Sequence, residues 1–172
     1  MTLMRRYLVI LALMFWVGGF MFYGAVTVPV VRGVLNPDPA QSKITRQVTA
    51  WMNLSGTLAL LVFFVDLYGS PVRPRSRRAL AWASMTVAHM ALFWMHRKMS
   101  HQMDDPHFYR LRENMAHFQS WHRVYMWIST FQWASAMAFA ALSIMTWRQE
   151  DRLSIIPESG PGPAASPGAR GT

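Results

Sequence analysis

The chain has 172 residues, 52% of them apolar, with 17 Lys plus Arg against 8 Asp plus Glu, six His and no Cys. Without cysteine there is no disulfide, Cys-ligated zinc or iron–sulfur cluster. The net charge of +9 does not point to nucleic acid, because the basic residues sit at the ends of long apolar runs, where anionic headgroups meet them.

The first run, residues 7–31, is 25 residues long between Arg6 and Arg32. A hydrocarbon core about 30 Å thick needs roughly 20 helical residues, so this run is long enough to cross it. Arg5 and Arg6 resemble the start of a signal peptide, but a signal's apolar region covers only about 7–15 residues. The run is therefore expected to be a retained membrane helix. Gly18, Gly19 and Gly24 allow another helix to approach closely, which predicts tight packing inside a bundle or a dimer contact. Asp38-Pro39 then supplies an N-cap followed by proline, a strong helix start.

The second span is expected at residues 48–69. It carries Asp66, the only acid within a span, for which Arg73 or Arg75 is the expected partner. A single acid makes a proton or cation pathway unfavourable. Four Arg fall between residues 73 and 78. The third span, 79–98, places Met85, His89 and His96 on one face at multiples of about one or two turns. Met95, Met99 and Met103 form a second stripe, and His101, His107 and His117 follow in the connecting segment. After Asp105-Pro106, the spacing of Phe108, Leu111, Met115 and Phe118 predicts a short amphipathic helix over about 106–120. The fourth span, 123–147, has a polar stripe of His122, Tyr125, Ser129 and Gln132, continued by Ser143 and Thr146. From Glu150 onward Pro and Gly alternate, which predicts a disordered tail over 150–172 beyond a helical domain of 1–149.

These elements predict an all-α integral membrane four-helix bundle, built as two antiparallel transmembrane hairpins with the amphipathic helix outside. Lipid forces each backbone polar group to bond internally, and helices do that. Trp51, Tyr68, Trp82, Trp94, Trp121, Tyr125 and Trp147 near the span ends suit an interfacial aromatic belt. Nine basic residues on the side of the termini face eight on the other, and the denser Arg73–Arg78 cluster favours both termini in the cytoplasm.

Two functional expectations follow. The plainer has His89 hydrogen-bonding Gln132 or Ser129 across a helix interface, in a non-catalytic membrane subunit or accessory protein. Its partners would be the lipid bilayer and a membrane protein or a second copy. The competing one uses His96 and His122, with His89 deeper, as ligands of haem b, or His96, His122 and Met99 for copper, since imidazole and thioether suit Cu(I). No hydrolytic, P-loop or dinucleotide-binding signature is present. The run Phe15-Trp16-Val17-Gly18-Gly19-Phe20, with Val28-Pro29-Val30 and a His122-Arg123 pair opening the last helix, resembles small bacterial membrane proteins of the copper-resistance D-like kind. The resemblance implies an inner-membrane protein with a link to metal, by analogy alone.

Overall fold

The structure is a computed structural model that describes residues 2–35, 39–72, 75–103 and 112–155. Among these there are four helices and no strand. Helix α1 covers residues 2–35 without a break, but its winding changes. It is α-helical over Thr2–Leu13, π-helical over Met14–Gly18, α-helical over Gly19–Phe22, π-helical over Tyr23–Thr27 and α-helical again over Val28–Leu35. The second wide turn has a local cause. Pro29 has no N–H and its ring crowds the carbonyl four residues earlier, which a π-turn relieves. Helices α2 (Pro39–Gly69), α3 (Ser76–Met103) and α4 (Arg112–Ile155) follow.

Three segments are long and apolar enough to cross a membrane: Thr2–Val31, Lys43–Gly69 and His117–Ser154. Helix α3 does not belong to that set. Its apolar residues are diluted by Arg77, Arg78, His89, His96, Arg97, Lys98 and His101. The surface agrees with a membrane protein, because polarity is inverted relative to a water-soluble domain. Trp127, Phe15 and Leu80 are more than 70% exposed, whereas Asp66, Arg78 and Glu150 are buried.

The buried side chains explain the packing. Along α3 they fall at Arg78, Ala81, Met85, Ala88, Leu92, Met95 and Met99, alternating three and four residues apart, with His89 buried beside Ala88. Along α4 the same spacing links Ser129, Gln132, Ala136, Phe139 and Ser143. Alternating steps of three and four average 3.5 residues, so one stripe keeps facing its neighbour along the helix. Accordingly α3 packs along α4, α2 along α3, and α1 along α2. The centre is a layer with one side chain from each helix: Val9, Phe63, Met85 and Phe139, all with 0% exposure. Phe63 and Phe139 stack with ring centroids 5.0 Å apart, a pairing that adds about 0.5–1.5 kcal/mol. Trp82 Nε1 donates to the Leu60 carbonyl at 3.0 Å and ties α3 to α2.

Two expectations about boundaries change. No separate amphipathic helix precedes the fourth span within the described residues: 112–120 are the first turns of α4 itself, and residues 106–111 lie outside them. The helical domain also continues past residue 149, since α4 runs to Ile155 and Glu150 is buried. Of the tail, residues 156–172 lie outside the described set.

The glycines of α1 were expected at a close helix contact, and within the chain they make none. A Cβ at Gly18, Gly19 or Gly24 would meet nothing within 4 Å. The close approach is on α2 instead, where a Cβ at Gly56 would lie 2.7 Å from Trp16 Nε1 and 2.8 Å from His89 Cε1. Both neighbours are rigid rings, so the helices would have to separate. Gly56→Ala is therefore expected to destabilise the protein by about 1–3 kcal/mol in detergent unfolding. Gly33→Ala, which meets open space, should leave the unfolding midpoint level or slightly raised. Equal losses in the two variants would refute the close-packing argument.

Candidate functional site

Two polar layers flank the Val9–Phe63–Met85–Phe139 layer, and each draws on more than two helices. The first is centred on His89 of α3. Its Nε2 lies 3.0 Å from Thr57 Oγ1 on α2, and its Nδ1 lies 3.1 Å from Gln132 Nε2 on α4. Trp16 of α1 approaches the imidazole edge-on, with centroids 6.3 Å apart and planes at 85°. All four helices thus meet at one side chain, and Gly56 leaves the room for it.

The partners fix the tautomer. Thr57 Oγ1 gives its only proton to the Asn53 carbonyl at 3.0 Å. It can then only accept from His89, so Nε2 carries the proton and Nδ1 accepts from the Gln132 amide. Gln132 Nε2 also reaches the Met85 carbonyl at 3.5 Å. Both imidazole nitrogens are engaged. In this arrangement His89 has no lone pair to offer a metal.

The second layer is ionic. Asp66, with 0% exposure, lies between Arg78 of α3, which donates Nη2 to its Oδ2, and Arg5 of α1, whose Nε is 3.0 Å from Oδ1. Trp147 Nε1 of α4 adds a longer bond of 3.3 Å to Oδ1. One turn on, Glu150 accepts from Arg5 Nη2 at 2.8 and 2.7 Å, from Arg6 Nη2 at 3.0 Å and from Ser70 Oγ at 2.6 Å. Arg6 also holds Asp151 through Nη1 at 2.8 Å and donates to the Trp147 carbonyl at 3.1 Å. Arg75 Nη2 donates to the Ser70 carbonyl just past the end of α2, where the helix dipole favours a cation. Gly69 matters here, because a Cβ would stand 3.3 Å from Arg5 Nη1, inside ordinary contact distance. The Arg78 guanidinium also lies over the Phe139 ring at 5.4 Å.

Asp66 does not pair with Arg75, the partner expected from proximity in sequence, and Arg73 lies outside the described residues. The reason is geometric. Arg78 is one turn into α3 on its buried stripe, whereas Arg75 precedes the helix and is drawn to the end of α2. Sequence reasoning missed Arg5, Arg6, Arg78 and Glu150 because each was read as a membrane-boundary charge or as tail. A usable signal existed. The three–four stripe through Ser129, Gln132, Ala136, Phe139 and Ser143 reaches Glu150 if extended by seven, and Met85 and Ala81 lead back to Arg78.

The other expected residues each have their own surroundings. Ser129 is buried, but its hydroxyl donates to the Tyr125 carbonyl of its own helix at 2.9 Å rather than to His89. Tyr125 is half-buried. His96 is half-buried, with Met95 and Met99 buried on the same helix. His122 is exposed, with its ring stacked on Phe118 at 6.3 Å and an interplanar angle of 8°. His117 accepts a hydrogen bond from Trp121 Nε1 at 2.7 Å, and Lys98 Nζ lies 4.4 Å from the Trp121 ring and 5.2 Å from Trp94. His107 lies outside the described residues. Among the described residues no three His, Cys, Asp or Glu side chains are grouped closely enough to hold a metal ion.

Two measurements probe the layers. A double-mutant cycle on His89→Ala and Gln132→Ala should give a coupling of about 0.6–2 kcal/mol. A cycle pairing His96→Ala with Gln132→Ala should give nearly none, and similar couplings in both would dismiss the bond as organising. In the ionic layer, Asp66→Asn leaves two guanidinium groups short of their counter-charge and should cost about 3–5 kcal/mol. Asp151→Asn removes a carboxylate whose side chain is 60% exposed, and should cost under about 1 kcal/mol. No known protein family, curated protein or solved structure matches this chain, so its functional reading rests on these two layers.

Proposed function

We propose that the chain is a four-pass membrane protein, a four-helix bundle of two antiparallel hairpins, acting as a non-catalytic subunit or accessory protein in a bacterial inner membrane. The observation that carries this reading is the apolar layer of Val9, Phe63, Met85 and Phe139, each with 0% exposure. It separates the His89 layer from the ion cluster along every helix, so the two polar layers do not join into a path for ions or protons. The polar groups of the interior hold helices to one another. Helix α3 completes the bundle as a fourth pass. Its exposed Leu80, Val87, Met90 and Phe93 form the lipid-facing stripe opposite its buried one.

Both termini lie on the cytoplasmic side in this reading. The dense Arg run between residues 73 and 78, with Arg5, Arg6, Arg148 and Arg152 at the same end, supports that side, because Lys and Arg set orientation even where acids accompany them. The cysteine-free chain makes this easy to test. Thr2→Cys and Ser154→Cys should react with a membrane-impermeant maleimide only in inverted vesicles, and His101→Cys only in intact spheroplasts. Labelling of Thr2→Cys and Ser154→Cys from opposite sides would rule out α3 as a fourth pass.

The competing haem or copper reading gains one observation, the half-buried His96 between the buried thioethers Met95 and Met99. With His89 committed to Thr57 and Gln132, His96 and His122 would have to supply the imidazoles. Protein from cells supplied with haem and copper is expected to be colourless and metal-free. A Soret band lost in His96→Ala or His122→Ala would replace the accessory reading with this one.

A further inference from the structure

At the end of the molecule that holds the ion cluster, the acids of the described residues are already used. Asp66, Glu150 and Asp151 engage Arg5, Arg6 and Arg78. Arg75 is held by a backbone carbonyl, with no carboxylate. Arg77, Arg148 and Arg152 are exposed. Arg148 and Arg152 stand one turn apart on α4. Arg77 directly precedes Arg78, whose guanidinium lies against Asp66 and the Phe139 ring. That anchors the start of α3 against the Phe139 stretch of α4, and Arg148 and Arg152 follow further along α4 toward the same end of the molecule. The cations are interspersed with exposed apolar side chains: Leu80 at 72%, Met145 at 61% and Leu153 at 60%.

Among the described residues no carboxylate engages these exposed guanidinium groups, which leaves them open to anions from outside the chain. The apolar neighbours decide which kind. A nucleic acid or acidic peptide would leave Leu80, Met145 and Leu153 in water, whereas a lipid offers a phosphate to the cations and acyl chain to the apolar side chains. Arg also suits phosphate oxygens through its planar fork of donors. We infer that Arg77, Arg148 and Arg152 form a binding site for the headgroups of anionic phospholipids in the leaflet next to the ion cluster. The inference rests on the membrane-spanning reading proposed above. Arg5, Arg6 and Arg78 are not part of the site, since Asp66, Glu150 and Asp151 already engage them. The two sets of arginine therefore do different work: one set closes the interior and the other meets the lipid.

The test uses the full chain in an uncharged maltoside detergent, with the thermal unfolding midpoint followed during titration with phosphatidylglycerol, phosphatidylcholine or inorganic phosphate. Phosphatidylglycerol is expected to raise the midpoint saturably, and the other two to leave it unchanged. In the R77Q/R148Q/R152Q triple variant the half-saturating phosphatidylglycerol concentration should rise on the order of a hundredfold, near fivefold for each charge removed. Arg97→Gln, a control from the opposite end of α3, should titrate like the parent chain. Equal responses to the two lipids, an unchanged titration in the triple variant, or a full response to inorganic phosphate alone would each overturn the proposal. If the triple variant does not fold, the single variants carry the test, each expected to weaken the lipid response about fivefold. Alkaline carbonate extraction separates this proposal from the reading beneath it. A chain released from membranes by carbonate defeats the membrane reading itself, whereas a chain that stays in place without lipid selectivity defeats only the headgroup site.

Discussion

A carboxylate with no exposure to solvent must be compensated by the protein, because an ion left bare in a low-dielectric interior is far too costly to survive. Asp66 is that carboxylate, and its requirements set the geometry of one whole end of the molecule. It draws Arg5 from α1 to one of its oxygens and Arg78 from α3 to the other, and takes a hydrogen bond from Trp147 of α4. Arg5 meets Glu150 as well as Asp66, and Arg6 closes on Glu150 and Asp151. The first turns of α1 are thereby fastened to the last turns of α4 by long polar side chains, rather than by close approach of the two backbones.

Away from that end, the helices meet through smaller effects. Lipid chains are as apolar as leucine, so helices immersed in lipid gain little from hydrophobic burial against one another. Close packing and interhelical hydrogen bonds must supply the specificity. The His89 layer combines both. Gly56 brings α1, α2 and α3 together around two rings, and the Thr57–His89–Gln132 chain fixes how α2, α3 and α4 are rotated relative to one another. The apolar layer between His89 and the ion cluster keeps the two kinds of polar interaction apart. Each layer can be satisfied locally, with its donors matched to acceptors at the same level of the molecule.

This division also assigns the arginines. Residues that look alike in the sequence, a scatter of basic side chains at helix ends, fall into a buried or half-buried set with carboxylate partners and an exposed set with none among the described residues. Burial is decided by helix rotation: Arg78 falls on the three–four stripe of α3 and Arg77 does not. One residue of register separates a structural ion pair from a surface charge.

The sequence by itself determined the solvent and the secondary structure. Long runs free of charge admit helices and little else, and the described residues are helical throughout these runs, three of the segments being apolar enough to cross a membrane. It also made the His89–Gln132 bond legible, because both residues fall on helical stripes at spacings that face them inward. Partners far apart in the chain were another matter. Arg5 and Glu150 are separated by 145 positions, and no local pattern says that the first and last helices meet. The same holds for Gly56, whose importance comes from Trp16 and His89 arriving from two other helices. Helix formation depends on interactions within a few residues, so composition and periodicity reveal it. Which glycine is crowded and which arginine is buried depend on how helices rotate against each other, and only the tertiary structure decides that.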